Sequence, residues 1–233
     1  MTYLFLALGI ILVGIFVSKR TAKVTLSVAF LKAVASVCFI LTSLFAMVEN
    51  PDCPKIVGAL VAAGGVWGLL GDIALDLKYV FSKHEKDYLT AGFTSFGVGH
   101  VFYIAAMFIN YGFNFKAFIG SFVAGLVCVA IVFIAEPLMK LDYRGYKKIT
   151  AIYMFVLGYA YGISSGYAIF DYSLSALIFT IGFILFLASD IFLSGLYFGQ
   201  TEKKRTSRPA IVINHILYYS AQFIIAVALL FIK

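Results

Sequence analysis

Asp72 and Asp190 are the residues whose type and setting point most directly to chemistry. Each lies inside a long apolar run, each is followed by an apolar turn, and neither has a basic neighbour in its own run. A carboxylate in a membrane span costs roughly 2.5–3.5 kcal/mol on insertion scales, so a chain that keeps two of them has a use for them. Two such carboxylates in one site cannot both stay ionised cheaply. One holds a proton, and the pair becomes a general acid beside a general base; because the titrations are coupled, neither proton belongs to a single residue.

The apolar runs also retain Lys32, Asp76, His100 and His215. At a rise of about 1.5 Å per residue, Lys32 and Asp190 lie ~12 Å, Asp72 ~8 Å, His100 ~18 Å and Tyr219 ~15 Å from the same ends of their spans. These depths predict a shared polar pocket open to one leaflet. Lys32 is expected to pair with Asp72 or Asp190. Asp76 is expected to snorkel into headgroup water, and His215 to serve packing or hydrogen bonding. His100 and Tyr103, three apart, share a helix face on which they could orient a carboxyl or a water. Tyr219 and Gln222 lie together in the last run, with Tyr218 about a third of a turn away.

The elements that must position these groups follow from composition. The chain has 233 residues, 63% hydrophobic and 12% charged, against about 25% charged in an ordinary soluble domain. Its mean hydropathy is +1.01. Disorder, a soluble enzyme and a disulfide scaffold are poor fits. Eight apolar runs, near 3–17, 24–48, 56–77, 88–110, 115–136, 149–170, 174–198 and 209–232, have the length of membrane spans and are too continuous for barrel strands. The fold class is therefore an all-α polytopic membrane bundle of eight helices, one integral-membrane domain over 1–233. No cleavable signal is expected, because Lys19 and Arg20 follow the first run instead of preceding it.

The +7 net charge is a topology signal rather than a nucleic-acid footprint. The loops after odd runs carry Lys19, Arg20, Lys23, Lys78, Lys83, Lys86, Lys140, Arg144, Lys147, Lys148, Lys203, Lys204, Arg205 and Arg208, whereas the even loops carry Lys55 and Lys116. The positive-inside rule puts the odd loops in the cytoplasm and both termini on the far side. The polar pocket then faces the cytoplasmic leaflet, of the plasma membrane in a bacterium or of an endomembrane in a eukaryote. Oligomeric state is left open.

Gly71-Asp72-Ile73-Ala74-Leu75 parallels Ser189-Asp190-Ile191-Phe192-Leu193, and His100-x-x-Tyr103 parallels His215-x-x-Tyr218. Four runs per half give both halves one orientation, so a 4+4 parallel repeat over 1–110 and 115–233 is expected, about an axis along the membrane normal. Gly158, Gly162 and Gly166, like Gly64 and Gly68, read as helix-packing stripes. Cys38, Cys53 and Cys128 read as packing residues, and Glu136-Pro137 as the end of span five. No nucleophilic-serine elbow, phosphate loop or zinc-hydrolase motif occurs.

Together, Gly68-x-x-Gly71-Asp72, Gly92-x-x-x-Phe96-x-x-x-His100-x-x-Tyr103, Phe186-x-x-Ser189-Asp190 and Tyr218-Tyr219-x-Ala221-Gln222 resemble the YhhN-type lysoplasmalogenase family, in order and from Lys32 to Gln222. The resemblance implies an eight-span membrane hydrolase. It would split the vinyl-ether bond of lysoplasmalogens into a fatty aldehyde and glycerophosphoethanolamine or glycerophosphocholine. It further implies that Asp72, Asp190 and His100 are catalytic, and that Lys32, Tyr103, Tyr219, Gln222 and Ser189 orient a lysophospholipid. No metal or cofactor is implied. The stretch 78–87 is longer than the family pattern leads one to expect, and Leu196 stands where some relatives carry a polar residue. A transporter of a lipid or amphiphile built on the parallel repeat is the alternative; it would give flux without aldehyde.

Overall fold

The computed structural model describes residues 1–233 as helices joined by short turns. They are α1 (Thr2–Lys19), α2 (Leu26–Glu49), α3 (Lys55–Val80), α4 (Glu85–Tyr111), α5 (Phe115–Leu138), α6 (Lys147–Phe170), α7 (Leu174–Phe198), the one-turn α8 (Glu202–Arg205) and α9 (Arg208–Ala228). They make up eight segments long and apolar enough to cross a membrane, α8 leading into α9 in the last of them, and each segment lies over one of the expected runs. The main departure is at 78–87. There α3 continues to Val80 and α4 starts at Glu85, so the extra residues lengthen two helices and leave only a 3-10 turn, Ser82–His84, between them.

Caps set several boundaries. The Thr25, Asn114, Ser173 and Ser207 side chains accept backbone N–H groups in the first turns of α2, α5, α7 and α9, satisfying donors that a helix start leaves without partners. α4 stops at Gly112, whose φ of +75° suits a residue without Cβ.

Within each half the helices pack in sequence: α1 on α2, α2 on α3 and α3 on α4, then α5 on α6, α6 on α7 and α7 on α9. The halves meet mainly through α4 on α6 and α2 on α9. Small residues permit the closest approaches. A Cβ on Gly99 of α4 would lie 2.9 Å from the Gly64 carbonyl oxygen of α3, and one on Gly162 of α6 would lie 2.4 Å from Ser121 Cα of α5. The glycine stripes therefore act in packing, as their spacing predicts. Large apolar side chains such as Ile11, Phe30, Ile119, Leu126, Ile152 and Ile184 point outward, as a surface in hydrocarbon requires. The polar exceptions gather inside, between α2, α3 and α9 on one side and α6 and α7 on the other.

Candidate active site

Helical spacing puts the polar groups on inward stripes. Lys32 and Ser36 are one turn apart on α2, Asp72 and Asp76 one turn apart on α3, and Asn214 and Tyr218 one turn apart on α9. On α7, Phe186, Asp190, Leu193 and Tyr197 form a stripe that runs from the interior toward the helix end. Asp72 and Asp190 line one cavity, together with Lys32, Ser189, Asn214 and Tyr218. Phe93 and Phe96 of α4 and Phe186 of α7 form its apolar wall, with Phe96 and Phe186 each packed against the Tyr218 ring at 5.8 and 5.4 Å. The free core of the cavity holds about one or two waters.

The two carboxylates have different surroundings. Lys32 Nζ lies 3.1 Å from Asp72 Oδ1, while Ser36 Oγ and Tyr218 OH donate to Asp72 Oδ2, both at 2.7 Å. Lys32 also lies 3.6 Å from Asp76 Oδ1, which Arg20 Nη2 approaches to 3.4 Å. Arg20, Asp76, Lys32 and Asp72 thus form a chain of alternating charges with zero net charge. All four are buried, and burial of charge is tolerable when each group is paired. Asp190 stands outside this chain. Its one side-chain donor is Tyr153 OH of α6, at 2.6 Å to Oδ2, and no cation lies within ion-pair distance of it.

Two expectations are corrected here. Asp76 does not snorkel into headgroup water: it is 1% exposed, because Arg20 folds inward from the end of α1 and supplies the counter-charge that bulk water would otherwise provide. Arg20, counted above only as a loop charge, is 4% exposed and lines the cavity. The choice left open for Lys32 is resolved in favour of Asp72.

The remaining sequence-derived candidates lie around the cavity or behind it. Ser189 lines it, donating its hydroxyl to the Phe186 carbonyl at 2.8 Å. Tyr219 is behind Lys32, donating to that residue's carbonyl at 3.0 Å and lying 3.1 Å from Ser36 Oγ. Tyr103 and Gln222 join each other, OH to Oε1 at 2.7 Å, and Gln222 reaches Tyr218 OH at 3.4 Å. His100 is buried beyond the cavity wall. Its Nδ1 lies 2.6 Å from the Phe96 carbonyl oxygen, which only accepts, so Nδ1 carries the hydrogen. Its Nε2 has no partner and is enclosed among aromatic rings, with Phe186 at 4.7 Å and Tyr153 at 5.8 Å. His215 hydrogen-bonds the Ile211 carbonyl in the same manner at 2.7 Å, as a packing residue would, and lines the cavity as well.

Ser36, Tyr153 and Asn214 did not stand out in the sequence. Asn214 Nδ2 donates to the Ser189 carbonyl at 2.9 Å, tying α9 to α7 beside Asp190. A usable signal existed for Tyr153. The offset that carries Asp72 onto Asp190, applied to Ser36, lands within one residue of it.

The arrangement can hold one carboxylate as a compensated anion and present a second carboxyl without a counter-charge across a small aromatic-walled space. That is the equipment for moving a proton on and off a neutral apolar substrate. No curated protein and no solved structure matches the chain. The sequence profile described as the YhhN family matches residues 27–229, a stretch that includes α2 to α9 almost entirely and every donor to either aspartate, and the chain belongs to that family.

Proposed function

We propose that this protein is a lysoplasmalogenase-type hydrolase that cleaves the vinyl-ether bond of lysoplasmalogens with Asp72 and Asp190 as base and acid. The observation that carries the reading is the unequal charge compensation of two carboxylates lining one cavity. Membership of the YhhN family supports a hydrolase, and the aromatic wall suits the alkenyl chain of a single-tailed lipid.

The chemistry balances on these two groups. Asp190, with no cation beside it, is the proton donor; it gives its proton to the β-carbon of the vinyl ether, and the α-carbon becomes an oxocarbenium ion. Asp72, held as the anion by Lys32, Ser36 and Tyr218, stabilises that cation and takes a proton from the attacking water. The faces of Phe96 and Phe186 add cation–π stabilisation. Collapse of the hemiacetal then reverses the roles. Asp72 returns its proton to the departing glycerol oxygen, and Asp190 accepts the hydroxyl proton as the aldehyde forms. The pair ends in its starting state with one water consumed.

Tyr153 orients Asp190 in this scheme, and Ser189 lines the cavity where the substrate would sit. His100 is a positioning residue that acts through Tyr153 and Phe186. Tyr103, Gln222 and Tyr219 hold Tyr218, Ser36 and Lys32 in register. A cavity with room for a water or two must widen to admit a lipid, and α3 and α7, which carry the two aspartates, make no extensive direct contact.

The orientation follows from the loop charges, with the cavity mouth and the odd loops in the cytoplasm. The parallel repeat is supported by equivalent interactions in the two halves. Ser36 serves Asp72 as Tyr153 serves Asp190, the α4–α6 interface mirrors the α2–α9 interface, and both histidines bind the carbonyl four residues earlier.

The test is to incubate the purified protein with alkenyl and acyl lysophospholipids and assay for aldehyde. Release from the alkenyl lipid alone, lost in Asp72→Asn and Asp190→Asn, is the expected result. Aldehyde release that survives both substitutions overturns the reading.

A further inference from the structure

Beside the catalytic cavity lies a second, more open cleft of about 480 Å³, a volume within the usual range for small-ligand sites. Its rim comes from three loops on the same end of the bundle. Glu85 begins α4, Asp142, Arg144 and Tyr146 lie between α5 and α6, and Gln200 and Arg205 follow α7. Two residues, Tyr197 and Arg205, line both this cleft and the cavity that holds the aspartates.

The floor is built, not merely adjacent. Leu141 and Gly199 form a β-bridge, Asp142 N–H donates to the Phe198 carbonyl at 2.8 Å, and Gln200 Nε2 donates to the Leu141 carbonyl at 3.1 Å. Arg205 gives Nη1 to the Gly199 carbonyl at 3.2 Å, leaving the other N–H groups of its guanidinium fork available. Asp142 is partly engaged by Arg144, whose Nε is 3.4 Å from Oδ2. Glu85 is exposed and has no ion-pair partner, although its surroundings are among the most basic of the chain.

The order of charges along this path is specific. The aspartates lie in the cavity, Arg205 stands at the shared wall, and the carboxylates of Glu85 and Asp142 belong to the cleft alone. A lysophospholipid has the same covalent order: reacting ether bond, then phosphate, then ammonium. From Asp190 to Tyr197 along α7 is about 10 Å, a length that the glycerol and phosphate of such a lipid can span. We propose that the cleft is the subsite for a zwitterionic phosphate–ammonium headgroup, with the phosphate on Arg205 and the ammonium on Glu85. This rests on the lysophospholipid reading and extends it to the headgroup. The half-buried ring of Tyr146, which lines the cleft, offers a quaternary ammonium a cation–π contact in place of hydrogen bonds, so ethanolamine and choline are both accommodated and a headgroup without the amine is disfavoured.

The experiment uses soluble headgroups, so that binding is read without hydrolysis. Thermal stabilisation of the detergent-solubilised full chain is titrated with glycerophosphoethanolamine, glycerophosphocholine and glycerol phosphate. The two zwitterions are expected to bind about tenfold more tightly than glycerol phosphate, the value of one charge-assisted contact. Glu85→Gln removes that preference, Glu85→Asp retains most of it, and Arg205→Met weakens all three ligands. Equal binding of the three by the unmodified protein, or an equal loss for all three in Glu85→Gln, overturns the proposal. Because Glu85 is exposed at a helix start, ligand-free melting of each variant shows directly whether folding is intact. Aldehyde release without headgroup discrimination overturns the subsite and leaves the hydrolase standing; headgroup discrimination without aldehyde release from any alkenyl lipid does the reverse.

Discussion

Lys32 and Asp72 form an ion pair at 3.1 Å in which neither side chain is more than 6% exposed, and Lys32 is at the same time 3.6 Å from Asp76. One ammonium group therefore serves two buried carboxylates, with Arg20 sharing only the second. Removing one partner of a buried pair leaves an uncompensated charge and costs about 3–5 kcal/mol. Lys32→Met is accordingly expected to lower the thermal midpoint sharply in detergent. The double variant Lys32→Met with Asp72→Asn, in which a charge is removed on each side, should recover most of that loss and remain inactive. If Lys32→Met melts with the unmodified protein, the charge chain is not what holds α2 against α3.

Tyr153 gives a milder and more selective test. Its hydroxyl is the one side-chain donor to Asp190, at 2.6 Å, and its ring packs on Phe93 at 5.6 Å and on His100 at 5.8 Å. Tyr153→Phe keeps the ring and removes the donor. Stability should fall by about 1 kcal/mol, the net value of one hydrogen bond. Turnover should fall by about tenfold through loss of orientation, against roughly 10²–10⁴-fold for Asp190→Asn, which removes the acid itself. Equal losses in the two variants would mean that Tyr153 takes part in the proton transfer.

The eight spans were legible because length and apolarity are properties of continuous runs, and hydrocarbon imposes both. That Lys32 pairs with one of the two aspartates was legible for a related reason, since opposite charges at comparable depth have few other ways to be satisfied; that the partner is Asp72 and not Asp190 depends on helix packing and was not. Nor was Asp76. Its nearness to a helix end favours water as its partner, and only the inward fold of Arg20, a tertiary event outside its own helix, reverses that. Tyr103 and Gln222 show another limit. Spacing put them on inner faces, as observed, but it does not say which inner neighbour each will meet, and they meet each other. Tyr153 was hidden among 15 tyrosines, since a hydroxyl in a span is common and carries no charge to mark it.

Orientation can be read with introduced cysteines, because the native ones give little background. Cys38, Cys53 and Cys128 are all buried, and burial pushes the thiol of Cys53, in the loop between α2 and α3, up from its ordinary range, so little reactive thiolate is present at neutral pH. Lys116, in the first turn of α5, and Lys83, in the 3-10 turn between α3 and α4, are exposed at opposite ends of the bundle. In intact cells a membrane-impermeant maleimide should label Lys116→Cys, and should label Lys83→Cys only after permeabilisation. The reverse pattern would place the cavity mouth on the far leaflet.

The step assigned to Asp190 leaves a mark on the product that no binding or stability measurement can imitate. Protonation of a vinyl ether occurs at carbon, so the hydrogen delivered becomes a C–H bond of the aldehyde, on the carbon next to the carbonyl. In heavy water the exchangeable proton of Asp190 is a deuteron before each turnover. Each aldehyde released should therefore carry one deuterium at that carbon, detectable by mass spectrometry when the product is trapped by reduction before it can enolise. Transfer of a proton to carbon by a positioned acid should also slow turnover in heavy water. Asp190→Asn has no carboxyl proton to deliver and should lose rate, while any aldehyde it still releases by slow protonation from solvent should carry the same single deuterium. Asp72→Asn retains the donor but lacks the base for water; in its residual turnover trapping of the cation is the slow step, and the solvent isotope effect on that residual rate should shrink relative to the unmodified protein. Aldehyde without deuterium at that carbon would show that the bond breaks by another route, and the acid role of Asp190 would fall with it.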